Sequence, residues 1–164
     1  MNDGLLAGLD GAREDFLDAL GDVDADLVTV PGVMGDWSVR DLVVHVAAWA
    51  EHASEALELA VSGRGADFAY STGDTDAMNA RILEDARRTP PADALAREEA
   101  AFAAFRTRVG DLDPALLDLA LGNGDTVAEV IGYDGAEHYA EHTAHLHAWF
   151  AADDDDAGDD EDEA

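Results

Sequence analysis

Apolar residues in this chain recur every three or four positions through long stretches and nowhere alternate, so what it can bury is a set of helical stripes. Leu5, Leu6, Leu9, Phe16, Leu17 and Leu20 trace the first stripe, from about Asn2 to Leu20. After a loop holding Pro31, Gly32 and Gly35, the second helix has the clearest start in the chain. Ser38 is its N-cap, Asp41 stands where it closes a capping box, and Asp36 and Asp41 both suit the positive end of the helix dipole. Trp37 before the cap and Leu42 at the fourth helical position are placed to form a hydrophobic staple. This helix runs through Val43, Val46, Trp49, Ala53 and Leu57 to a stop at Gly63-Arg64-Gly65.

Residues Gly65 to Gly73 read as a polar loop, and Thr75 to Arg88 as a shorter helix ended by Pro90-Pro91. Leu95, Phe102, Phe105 and Val109 share one stripe of a helix over about Ala92 to Val109. Asp113-Pro114 opens a short helical turn, with Asp as cap and Pro at the first position. The last long helix covers about Thr126 to Ala152, with a break near Gly132-Tyr133-Asp134-Gly135. No internal repeat and no strand pattern stands out. The expected fold is all-α: a four-helix bundle, up-and-down with crossover connections and short extra helices, over residues 1–152. An acidic, disordered tail is expected over 153–164.

Length and composition narrow the function. The 164 residues suit one domain, and 48% hydrophobic content is enough for a core. Cysteine is absent, which excludes disulfides, thiolate metal ligands and a Cys nucleophile carried by the chain. The most apolar stretch, Leu42 to Ala50, is too short to cross a bilayer and contains His45. The opening Met1-Asn2-Asp3-Gly4 has an acid where a signal peptide needs a basic region. The reading is a soluble, cytoplasmic protein.

Charge is the largest compositional bias. There are 38 acidic residues against nine basic ones, all of them arginine, for a net charge of −29. The tail holds nine of the acids, leaving 29 against the same nine arginines, so the excess belongs to the whole surface. Such a surface repels phosphate backbones and anionic headgroups, which argues against nucleic-acid or membrane partners. Spread evenly, it fits adaptation to high salt, where screening relieves repulsion among carboxylates. A halophilic source is therefore expected.

Four of the six histidines, His138, His142, His145 and His147, fall within ten residues. The H-x-x-x-H spacing at 138 and 142 sets two imidazoles one turn apart on one helix face, where they can share an ion. His45, near the middle of the second helix, would supply a third nitrogen and leave positions open for water or substrate, the layout of a catalytic metal site. His52, seven residues on, is a rival third ligand, and His145 could replace or supplement one of the pair. The ordinary alternative for each is a hydrogen-bonded histidine with no metal role.

The stretch from Gly32 to Trp49, with Trp37-Ser38, the Arg40-Asp41 pair, His45 and Trp49, resembles the second-helix signature of the DinB-like superfamily. His138-Tyr139-Ala140-Glu141-His142 resembles the H-x-x-x-H of that superfamily's last bundle helix. The resemblance covers residues 1 to 150. It implies a four-helix bundle whose open end holds a histidine triad, here His45, His138 and His142, binding zinc, nickel or iron. His52, His145 and His147 match no ligand position of the family. The opening motif is similar to the colibactin self-resistance branch and also to the mycothiol-dependent isomerase and bacillithiol transferase branches. The first implies a hydrolase or sequestering protein, the others metal-activated thiol chemistry. Members of such a family also form homodimers.

At such a site the metal would lower the pKa of bound water, or activate a low-molecular-weight thiol that the cysteine-free chain must take from solution. Glu141 and Tyr139 are acid–base candidates by sequence adjacency. Neighbours on a helix point about 100° apart, so neither automatically faces the ligands. Arg40 and Arg106 could bind an anionic substrate, though surface counter-charges are the ordinary reading. Trp37, Trp49 and Trp149 read as core or rim aromatics. Two functions follow: a metal-dependent enzyme acting on a small molecule by thiol transfer, isomerisation or hydrolysis, or a non-catalytic protein that protects by sequestering a metal or reactive compound.

The charge reading carries its own test. The melting temperature should rise between dilute buffer and molar salt, and an unchanged value would exclude salt adaptation.

Overall fold

The computed structural model describes residues 2–69 and 74–157, with side chains to Ala152. Four long helices carry the fold: α1 (Asp3–Gly21), α2 (Val39–Val61), α4 (Pro91–Asp111) and α6 (Glu137–Ala157), with shorter α3 (Thr75–Ala86) and α5 (Val127–Ile131) between them. Both α1 and α2 pack against α4 and α6, which closes a four-membered ring. The chain therefore passes from α1 to the diagonally placed α2, the crossover expected of this bundle class. The α6 backbone continues past Ala152 to Ala157. The rest of the expected tail, 158–164, and the end of the expected 65–73 loop lie outside the described residues. Among the described residues, no helix is long and apolar enough to cross a membrane.

Besides the helical continuation of α6 over 153–157, where a disordered tail was expected, one element departs from the sequence reading. The Pro-Gly segment before α2 is a small antiparallel hairpin, β1 (Pro31–Met34) and β2 (Trp37–Ser38), and not an open loop. Met34 pairs with Trp37, so Gly35 sits in the tight turn with φ +58°, a conformation that costs glycine nothing. Strands this short show no alternation, which is why the pattern was invisible. The hairpin feeds directly into the α2 cap. Ser38 Oγ accepts from the Asp41 amide at 3.3 Å and Asp41 Oδ2 accepts from the Ser38 amide at 3.0 Å, closing the capping box.

Helix α2 is the centre of the bundle. Every residue from Asp41 to Ala50 is buried, leaving this stretch no solvent face. Each large apolar side chain in it, such as Leu42, Val46 or Trp49, stabilises the fold by about 1.5–3 kcal/mol relative to exposure. Buried polar anchors set the surrounding helices. Asn2 donates to the carbonyls of Val109 and Leu112 at 2.7 and 2.9 Å, tying the start of α1 to the end of α4. Glu98 of α4, 1% exposed, accepts two bonds from Arg13 of α1 at 2.8 Å and one from the Tyr139 hydroxyl of α6 at 2.6 Å. Burial beside that carboxylate holds the Tyr139 phenol far above its ordinary pKa, so it stays a donor.

Glu98 thus couples three helices, and breaking its partners should be costly. Arg13→Met should destabilise the protein by about 3 kcal/mol, because it strands a buried charge. Tyr139→Phe should cost about 1–2 kcal/mol. Urea unfolding in molar salt measures both, and near-neutral values would show that the network does not anchor α6.

Candidate metal centre

The three histidines singled out by the sequence meet at one end of the bundle. His45 lies in the second turn of α2, its position fixed by the capping box and by burial on every side. His138 and His142 come from α6, one turn apart. The segment Gly132–Ala136, between α5 and α6, is a wide π-type turn with non-helical backbone at Gly135, so the break expected near Gly132–Gly135 is present. Gly135 is also a point of close approach. A side chain there would meet Phe105 and Leu9 at 3.2 and 3.3 Å, so glycine lets α6 start against α1 and α4.

Each of His45, His138 and His142 offers a ring nitrogen, and these nitrogens lie within 4.8 Å of one another. His45 Nε2 is 2.9 Å from His138 Nε2. Trp37 and Trp49 close edge-on around His45, with ring centres at 5.1 and 6.3 Å. Burial, more than any charge, pushes the imidazoles down to a pKa of about 3 for His45 and His138 and about 2 for His142. All three are therefore neutral near pH 7, each with one N–H and one lone-pair nitrogen. His45 Nδ1, His138 Nδ1 and His142 Nε2 are buried with no hydrogen-bond partner. An unsatisfied buried group of this kind costs about 1–3 kcal/mol. Converging neutral imidazoles with unspent nitrogens fit a divalent cation such as zinc, nickel or iron, for which imidazole is a favoured donor.

The other candidates take different places. His145 does not join the trio; its Nδ1 lies 3.1 Å from His142 Nδ1. With the proton of that contact on His142 Nδ1, His142 Nε2 is left as a bare lone pair, the usual way an imidazole ligand is oriented. His52 is not a third ligand either. Its Nδ1 meets Asp134 Oδ2 at 3.0 Å, and its ring packs on Trp49 and Phe68. His147 is exposed. Tyr139 points into the core at Glu98, which removes it from the site. Glu141 is exposed and lines the cavity over the histidines. Arg40 is spent on Asp41 and Arg106 on Asp10, so neither reaches the cavity.

The cavity, about 340 Å³, is floored by His45, His138 and His142 and walled by Met34, Trp49, Asn79 and Tyr133, with Asp134 and Glu141 as its acids. Trp49 Nε1 donates to Asn79 Oδ1 at 3.1 Å, fixing one wall on α3. Asp134 is the residue the sequence reading missed. Burial raises its carboxyl to about 6, opposed by the bond to His52. The only trace of it in the sequence was the glycine-flanked break in which it sits.

Residues 9–148 match the family model described as the mycothiol maleylpyruvate isomerase N-terminal domain. No curated protein and no solved structure matches the chain.

Three imidazoles that are neutral when folded, but titrate near 6.5 when exposed, make the unfolded chain bind more protons below that pH. Their contribution is present above the unfolded value and is lost as pH falls through it toward the folded values. Asp134 opposes this between 3.8 and about 6, because its raised pKa lets the folded state take a proton first. Metal-free protein in molar salt should therefore melt at progressively lower temperature from about pH 7 to about pH 5, with a net uptake of roughly two protons on unfolding. A flat profile would show that the imidazoles are not held neutral.

Proposed function

The chain belongs to the mycothiol maleylpyruvate isomerase N-terminal domain family, a DinB-like superfamily domain, and from that premise we propose that it is a metal-dependent enzyme acting on a small molecule. His45, His138 and His142 hold the ion, and the reaction is a thiol transfer, a thiol-dependent isomerisation or a hydrolysis. The observation that carries this reading is the convergence of three buried, neutral imidazoles, with ring nitrogens within 4.8 Å of one another, among the residues that line an open cavity. A structural metal would be closed off by protein ligands, whereas three nitrogens beneath a cavity leave room for a ligand from solution.

A divalent ion there supplies Lewis acidity, lowering the pKa of a bound water or thiol. The chain's own residues do the rest. His145 orients His142 through the contact between their Nδ1 atoms. Trp37 and Trp49 keep water from the edges of His45. Asp134, with its pKa near neutrality and His52 behind it, is placed to accept or return a proton at the cavity wall. With no cysteine in the chain, a thiol nucleophile comes from a low-molecular-weight cofactor, as the family's name indicates. The acid-rich surface is read as salt adaptation of this small-molecule enzyme.

The test is metal analysis by plasma mass spectrometry on tag-free protein purified in molar salt. About one equivalent of zinc, nickel or iron is expected, lost in both His45→Ala and His138→Ala. On a panel of thiols and electrophilic acceptors, His142→Ala should lower turnover at least roughly a hundredfold. Protein that holds metal at full occupancy but turns over none of the panel would instead favour the sequestering, protective role. Protein that cannot be loaded with any of the three ions would exclude the site.

A further inference from the structure

The wall that α3 contributes to the cavity carries a polar group whose orientation is decided by chemistry. Thr75 and Asn79, one turn apart on α3, both line the cavity. An indole N–H can only donate, so the 3.1 Å bond from Trp49 Nε1 fixes which branch of the Asn79 carboxamide is the oxygen. The other branch, the Nδ2 amide with its two N–H donors, has no protein partner among the described residues. Asn79 is half-buried, so these donors are held in place and still open to the cavity.

The neighbouring polar groups are turned to the protein. The Tyr133 hydroxyl donates to Asp125 Oδ2 at 3.1 Å, and Asp134 Oδ2 lies 3.0 Å from His52 Nδ1. Thr75 has a partner of its own, and an ionised Glu141 offers acceptors only. Asn79 therefore gives the wall a donor that the fold does not use. Trp49 ties that donor to the floor. The indole that holds the carboxamide has its ring centre 6.3 Å from that of His45 and 6.1 Å from that of His138. One small molecule can therefore reach both the amide and the histidines.

We propose that Asn79 is a specificity residue whose Nδ2 amide binds the carbonyl oxygen of a small molecule held at its other end over His45, His138 and His142. The proposal rests on the metal-dependent reading above. The cation binds one end of the ligand, and Asn79 recognises an oxygen acceptor at the other. Trp49 acts through Asn79: its N–H keeps the amide oxygen turned away and the donors presented.

The test uses full-length protein loaded with cobalt(II) in molar KCl at about pH 8, where an aspartate is ionised. Two pairs of thiols are titrated: methyl mercaptoacetate with 2-methoxyethanethiol, and methyl 3-mercaptopropionate with 3-methoxypropanethiol. Within each pair the ester has a carbonyl where the ether has a methylene, and neither tail is charged. Thiolate-to-cobalt absorbance reads their Kd values. The quantity compared between proteins is the ether-to-ester ratio of Kd values, in which differences in thiol acidity and protein charge cancel. In at least one pair this ratio should fall about fivefold in both Asn79→Leu and Asn79→Asp, the loss of one neutral hydrogen bond to the ligand. Asn79→Asp is the decisive variant. Its carboxylate still accepts from Trp49 Nε1 but has no donor, so a role confined to holding Trp49 would leave the ratio unchanged. A wild-type ratio in Asn79→Asp for both pairs overturns the proposal, as does cobalt-loaded protein whose spectrum no thiol perturbs. Absence of any cobalt spectrum is the separate signature of failure of the metal reading, and the proposal falls with it.

Discussion

The burial of α2 on all sides from Asp41 to Ala50 is the constraint from which the rest of the molecule follows. A helix with no solvent face can find partners for its polar groups only within the protein. Asp41, 2% exposed, does so through the Ser38 amide and the Arg40 guanidinium. The same burial denies His45 its charge and holds it as a neutral imidazole. Because α2 is central, α4 and α6 both lie against it, and the end of the bundle is the place where α2 and α6 can bring side chains together.

Two buried polar clusters lie side by side on α6 and are treated in opposite ways. Glu98 is surrounded by donors from Arg13 and Tyr139 and is fully used. One residue before Tyr139 and three residues after it, His138 and His142 keep buried nitrogens that no protein group engages. A chain able to satisfy Glu98 so completely does not leave imidazoles unpaired for want of partners. Local rules are broken where function requires it, and the contrast supports the proposal that the histidines, not the ion-paired network, are the working end.

What the sequence made legible was local. The Ser38–Asp41 box, the stripe spacings and the H-x-x-x-H turn each lie within a few residues, where helical geometry fixes the outcome. The choice of His45 over His52 as third member was not local. Both lie on nearly the same face of α2, and spacing alone could not rank them. The resemblance favoured His45, and His52 is engaged by Asp134, 82 positions away. Tyr139 failed as a site candidate for the same reason: adjacency to His138 says nothing about a partner on α4. The partnership of His145 with His142 was within reach, since they are three apart. Only the side-chain rotamers distinguish a supporting imidazole from a fourth ligand.

The donor set and the surface charge also bear on each other. A chain of net charge −29 attracts every cation in solution, and abundant hard cations prefer oxygen donors. A site built from carboxylates would compete poorly for a scarce transition metal under those conditions. The three converging nitrogens here include no carboxylate, and Asp134 and Glu141 stand at the wall of the cavity instead of among the trio. Neutral imidazoles give up long-range attraction for the cation and gain selectivity for borderline metals over magnesium or calcium. On the proposed metal reading, the acidic surface serves solubility, while discrimination is left to a small nitrogen-lined floor that the surface charge does not control.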